Sequence, residues 1–118
     1  MIGPSGAVRV MLATRPVDFR KGMDGMAALV QDAMCADPFS GTGYVFRSKR
    51  ADRVKLLVWD GIGLVLAVKR LEAGQFCWPK IKDGVVRLSA AQLAALVEGL
   101  DWKRVHAARR VSVPAVAG

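Results

Sequence analysis

Cysteine and histidine are scarce in this sequence, with two of the first and one of the second in 118 residues. Cys35 and Cys77 have no second thiol near either, and His106 is the sole imidazole. That inventory cannot supply a tetrahedral zinc set within one chain. A serine or cysteine nucleophile would have to borrow His106, which lies in a basic stretch without a flanking motif. The two thiols read as buried, reduced side chains of a cytosolic protein. Long apolar runs are missing too. The longest uncharged stretch, Leu88 to Val97, has ten residues, against the roughly 18 to 20 that span a bilayer. The opening Met1-Ile2-Gly3-Pro4-Ser5-Gly6 has neither a basic start nor an apolar run, so a cytoplasmic location away from membranes is expected.

Phosphate-cradling loops are likewise absent. Gly22-Met23-Asp24-Gly25 and Gly61-Ile62-Gly63 match neither the dinucleotide nor the nucleoside-triphosphate spacing. Asp18, Asp24, Asp37, Asp52 and Asp60 each read as a cap, a turn residue or a residue before proline rather than a metal-binding carboxylate. No catalytic group, metal or cofactor is expected, and the chain does not read as an enzyme.

What the sequence does have is positive charge. A hydrophobic fraction of 53% and a charged fraction of 24% are globular values. Eighteen Lys and Arg against ten Asp and Glu give a net charge of +8. Residues 1–46 balance four against four, whereas residues 47–82 hold nine basic and three acidic side chains. A surplus confined to one third of a small chain points to a polyanion-binding face.

Periodicity gives the elements. Residues 7–14 alternate as a first strand, and Met23, Met26, Ala27, Val30, Ala33 and Met34 recur at helical steps up to Cys35. Three methionines on that face suit pliable core filler. Asp37-Pro38 stops the helix, because a residue before proline is pushed out of helical conformation. Short strands follow at residues 44–47, 75–78 and 85–88. Arg53–Trp59 and Leu64–Leu71 form a hairpin about Asp60-Gly61-Ile62-Gly63. Ser89-Ala90-Ala91-Gln92 has the spacing of a capping box, with Leu88 and Leu93 as its hydrophobic staple and Gly99 as the helix stop.

If Trp59 faces Leu64, one hairpin face holds Leu57, Trp59, Leu64 and Leu66, and the other holds Leu56, Val58, Val65 and Ala67. A sheet with one wet face would alternate, so this hairpin needs cover on both sides, from helices or from a second subunit, and a homodimer is one expectation. The aromatics interleaved with the basic segment, Trp59 included, suit core packing better than stacking on bases. The same register brings Arg53 close to Lys69 and Arg70. The turn carrying Lys49 and Arg50 folds to that end, and Arg47 and Lys55 complete the expected DNA-binding patch, tempered by Asp52 and Glu72.

These residues carry a resemblance. Asp18-Phe19-Arg20-Lys21-Gly22-Met23-Asp24-Gly25 opens a set of ordered blocks. It is followed by Asp37-Pro38-Phe39-Ser40-Gly41, by Arg50 to Lys55 leading to Trp59-Asp60-Gly61-Ile62-Gly63, by Lys69 to Phe76 with Trp78-Pro79, and by Glu98-Gly99-Leu100-Asp101-Trp102. Over about residues 8–102 the chain resembles the TnpB-type accessory proteins of a large bacterial insertion-sequence group, the IS-sixty-six family. It departs at Arg15-Pro16, which replaces a more usual small-polar pair. The resemblance implies a small protein encoded beside a much larger transposase and needed for efficient transposition. It implies no catalytic residues, since the strand-cutting carboxylates belong to the transposase.

The expectations are then these. Residues 1–102 form one α+β domain, an antiparallel sheet around a central β-hairpin with two principal helices. Residues 103–118 form a basic, mobile tail. The protein serves DNA transposition without catalysis, binding element DNA, the transposase or both through Arg47, Lys49, Arg50, Arg53, Lys55, Lys69 and Arg70. The competing expectation is a protein–protein adaptor for the transposase that never touches DNA.

Overall fold

The hydrophobic alternation resolves into strands β1 (Val10–Ala13), β2 (Gly43–Arg47), β3 (Arg53–Trp59), β4 (Leu64–Arg70) and β5 (Val85–Leu88). Helix α1 (Met23–Ala33) follows β1, and α2 (Ala90–Val97) follows β5. The computed structural model describes residues 9–105. The five strands make one sheet in the order β4-β3-β2-β1-β5, so the fold is α+β as expected. The sheet is mixed rather than wholly antiparallel. β1 and β2 run parallel, and the remaining pairings are antiparallel. A parallel pair needs a long crossover, and α1 lies in the one joining β1 to β2.

The β3–β4 hairpin has the expected register, with Trp59 opposite Leu64, Leu57 opposite Leu66 and Arg53 opposite Arg70. Asp60 closes the turn, its Oδ1 accepting from the Ile62 and Gly63 amides at 3.0 and 2.9 Å. Period-two alternation then divides the sheet into two apolar faces. On one, Met26 and Val30 of α1 pack against Tyr44, Phe46 and Leu57, with Leu64 and Leu66 alongside. On the other, Leu93 and Leu96 of α2 pack with Val10, Leu12, Val45, Val54 and Leu88, joined by Phe76 and Trp102. Each face thus carries one of the chain's own helices. Met26 and Met34 sit in the α1 core as filler, whereas Met23 is exposed. Trp59 is only half-buried, its ring edge-on to the exposed Phe39 at 5.6 Å.

Helix α2 ends as its sequence predicts. Ser89 Oγ accepts from the Gln92 amide at 3.0 Å, and Gln92 Oε1 accepts from the Ser89 amide at 2.9 Å. At the other end Gly99 adopts φ of 77°, so its amide reaches the Leu96 carbonyl and the Leu100 amide reaches Ala95.

Three expectations change. Residues 75–78 form no strand. The Phe76 amide donates to the Ala51 carbonyl, and the Trp78 and Trp102 indoles donate to the Ala13 and Cys77 carbonyls. These are single bonds to separate partners, and Pro79 supplies no further donor. Cys35 is exposed rather than buried, because α1 ends at Ala33 with Met34 as its C-cap and Cys35 turns the chain at φ of 51°. The supposed tail begins as structure. Trp102–Arg104 form a helical turn with the Trp102 ring buried, and the Val105 carbonyl accepts from Gln92 Nε2 at 3.0 Å. Residues 106–118 lie outside the described residues, as do residues 7 and 8 of the first strand.

Loss of the Ser89 cap should cost about 1 kcal/mol in Ser89→Ala. Phe46 is fully buried in the α1 core, so Phe46→Ala should cost about 3–5 kcal/mol and the half-buried Trp59→Ala distinctly less. Urea melts of the three variants check the ranking, which fails if Trp59→Ala is the most damaging.

Candidate nucleic-acid interface

Strand β2 ends at Arg47 and β3 begins at Arg53, so the polar turn between them projects from one end of the sheet. Ser48 organises that turn. Its hydroxyl donates to Asp52 Oδ1 at 3.0 Å and accepts the Arg53 amide at 3.1 Å. Ala51 is buried at φ of 59°, a left-handed conformation that reverses the chain at the centre of the turn. The loop after β4 is stitched to the same place, with the Leu71 amide on the Asp52 carbonyl, the Phe76 amide on Ala51, and Gln75 Nε2 on the Arg50 carbonyl at 2.8 Å. Lys49 and Arg50 are left exposed at the tip.

A third segment reaches this end by a route that sequence alone did not reveal. Lys55 is 7% exposed, and its ammonium donates to the carbonyls of Phe19 and Lys21, each at 2.8 Å. The Phe19 ring lies over both Lys55 Nζ, 4.7 Å from the centroid, and the Arg53 guanidinium at 5.3 Å. Burial, then the nearby Arg53 charge, push the Lys55 pKa down, with Asp18 opposing. Two carbonyl acceptors and a ring face hold the ammonium in place nonetheless. This fastening lays the Pro16–Lys21 loop beside the Ser48–Arg53 turn, and the two flank an open cleft of about 390 Å³ lined by Asp18, Phe19, Lys49 and Arg53.

The expected patch is therefore redistributed. Arg53 and Arg70 face each other across β3 and β4, each softened by its own carboxylate, Asp52 at 3.9 Å and Glu72 at 3.3 Å. Lys49, Arg50 and Arg53 gather at the turn as expected. Arg47 joins them half-buried, its guanidinium turned back to the carbonyls of Thr14 and Lys49 at 3.2 Å. Lys55 is not on the surface, because it fastens the Phe19–Lys21 backbone. Lys69 points to the opposite face, where its ammonium bonds the Val97 carbonyl at the end of α2. Adjacent residues on a strand face opposite sides, so Lys69 and Arg70 cannot share a patch.

The loop contributes two cations not counted before, Arg20 and Lys21. Arg20 makes a bidentate pair with Asp18, closest at 2.8 Å. That hydrogen bonding, side chain first and then the Arg20 amide, holds the Asp18 carboxyl far below the usual carboxylate range. Lys21 is exposed. Against the seven cations at this end stand Asp18, Asp52 and Glu72, which leaves the end net positive. Among the described residues no group of three or more His, Cys, Asp or Glu converges as a metal site, and no helix is long and apolar enough to cross a membrane.

The segments brought together here, residues 18–25, 50–55 and 69–76, are among those that carry the sequence resemblance. Residues 8–107 match the family described as IS66 Orf2 like protein. The chain belongs to that family. Membership makes it an accessory protein of insertion-sequence transposition. Two proteins of Sinorhizobium fredii, strain NGR234, are similar along nearly their whole length. The uncharacterized protein y4jC is 52% identical over 105 residues, covering 89% of this chain and 90% of the relative. The uncharacterized protein y4hO is 40% identical over 101 residues, covering 85% and 88%. No solved structure matches the chain.

Replacing Lys55 should disturb this end of an IS66 Orf2-like protein through the backbone rather than through charge. Lys55→Met keeps the aliphatic stem but leaves two carbonyls without their donor, and should cost about 1–3 kcal/mol. Chemical-denaturation curves would read that loss, and a variant as stable as wild type would show that the fastening is dispensable.

Proposed function

We propose that this IS66 Orf2-like protein acts in transposition by binding element DNA, without catalysis of its own, through the end of the sheet formed by Lys49, Arg50, Arg53 and Arg70 with Arg20, Lys21 and Arg47. The observation that carries this reading is the convergence at one end of three cation-bearing segments distant in sequence, held together by hydrogen bonds. An exposed, net-positive end flanking an open cleft suits phosphate contacts, which position a protein on DNA without reading bases. Nothing in the arrangement resembles a recognition helix, so the binding is proposed as non-specific or shape-led. The cytoplasm is the expected compartment of such a protein.

A second reading, an adaptor for the transposase, is favoured by apolar surface elsewhere. Ile62 is 93% exposed at the hairpin tip and Val68 57% exposed on β4, an unpaired sheet edge. That edge is also where a second copy would pair to give the expected homodimer, a matter for light scattering.

With about four to six phosphates engaged, log affinity for duplex DNA should fall against log salt with a slope of roughly −3.5 to −5.5. Substituting Lys49, Arg50 and Arg53 together by alanine should remove up to about three units of that slope. The strand parity gives a finer test. Arg70→Ala should lose about one unit, while its neighbour Lys69→Ala should lose none. Removal of residues 106–118, which hold Arg109 and Arg110, is the control. Full affinity in the triple variant together with loss on removing that segment would assign the DNA contact to the tail. No salt-sensitive binding by the wild type would leave the adaptor reading in possession.

A further inference from the structure

The α1 face of the sheet is only half covered. Five strands at about 4.8 Å spacing make a surface about 19 Å across, and one helix is about 10–12 Å wide. Helix α1 packs over β3 and β4. Beside it, above β1 and β5, lies an open cleft of about 450 Å³. Its floor is Met11, Tyr44 and Val85, with Met34 from the end of α1 as one wall, and Arg9 and Arg87 stand over it. An apolar extension of about 200 Å³, sharing Met34 and Val85, continues along the strands toward Arg15.

Charge identifies what fits there. Arg9, Arg15 and Arg87 are exposed, and the ion pairs among the described residues involve only Arg20, Arg53 and Arg70. The residues outside the described range contain no Asp or Glu, so no carboxylate side chain from them can reach these arginines. A partly apolar shelf beside α1, rimmed by guanidiniums that no carboxylate of the described residues pairs, is complementary to an acidic amphipathic helix. A duplex phosphate backbone has no use for a methionine and valine floor. A second copy of this chain does not fit either. Its one acidic helix, α1 with Asp24 and Asp32, already spends its apolar side on Met26 and Val30 contacts, and α2 carries no charge.

We infer that the β1–β5 shelf receives an acidic amphipathic helix of a protein partner, which completes the half-built layer beside α1. The inference rests on the family's tie to a transposase, and the shelf is offered as the place where that enzyme docks. Its Arg9 and Arg87 end lies away from the basic end, since Arg9 precedes β1 at the Gly43 end of β2 and Arg47 closes the opposite end, which only the extension past Arg15 and Val17 approaches.

The test uses the full chain and the purified, nuclease-treated transposase encoded beside it, with affinity measured by calorimetry. Arg9→Glu with Arg87→Glu should weaken that complex at least tenfold and leave the DNA salt slope unchanged. Val85→Gln, which makes the floor polar and changes no charge, should weaken it similarly, and thermal melts establish that each variant is folded. The Lys49, Arg50 and Arg53 triple variant should keep wild-type affinity for the transposase. Transposase affinity within twofold of wild type in both folded shelf variants would overturn the inference. So would a DNA slope that falls in those variants, which would make the shelf a nucleic-acid contact. So too would a self-association of this chain that Arg87→Glu abolishes, which would make the occupant a second copy.

Discussion

One register, Trp59 opposite Leu64 across the Asp60–Gly63 turn, decides most of what this molecule presents to its surroundings. Strand side chains alternate with a period of two, so a one-residue slip would exchange the two faces. The register sends Leu57 and Leu66 to α1 and Leu56 to the α2 core. It also sets Arg53 across from Arg70, a like-charge pairing that opposes sheet formation when nothing offsets it. Asp52 and Glu72 lie beside the two guanidiniums and lessen that repulsion. The cost is bearable because the apolar side chains of the seven-residue strands on either side of the turn are packed into the cores on the two faces of the sheet.

Lys55 is the second constraint, and it explains how a loop far away in sequence comes to lie at the basic end. Its position on β3 faces the α1 side, where an unpaired ammonium would be costly to bury. Two carbonyls of the Phe19–Lys21 backbone and the Phe19 ring meet it there. A charged side chain thus serves as an internal fastener, and the surface charge expected of it is supplied instead by Arg20 and Lys21 on the loop it holds.

Much of the fold was legible because local signals agreed with one another. The bounds of β3, the hairpin turn and both ends of α2 follow from alternation, a glycine-bearing turn and a capping box. The parallel pairing of β1 and β2 was not legible, because periodicity fixes a strand's faces but not its neighbour's direction. Phe76 and Trp78 imitate a strand by being apolar at alternate positions, yet each makes a single hydrogen bond to a separate partner and packs against the α2 core. At the site, Lys49, Arg50, Arg53 and Arg70 were readable together from register. Lys69 was misplaced although strand parity alone assigns it to the far face. Lys55 could not have been read as buried, since its partners are backbone carbonyls more than thirty positions away.

The arrangement of surfaces follows from how little chain there is. Two helices of eleven and eight residues must cover both faces of a five-stranded sheet. On the α2 side, the helix is helped by Phe76, Trp78 and Trp102 from the connecting segments. On the α1 side the loop fastened by Lys55 extends the cover toward β3 and the basic end, and nothing comparable reaches β1 and β5. The Arg9–Arg87 end of the uncovered half and the cationic end therefore fall on the same side of the sheet, toward opposite ends of its strands. A protein helix held at the Arg9–Arg87 end of the shelf and a phosphate backbone on the basic end would not compete for space. For an accessory protein of transposition, that separation is what would allow one small domain to hold two macromolecules at once.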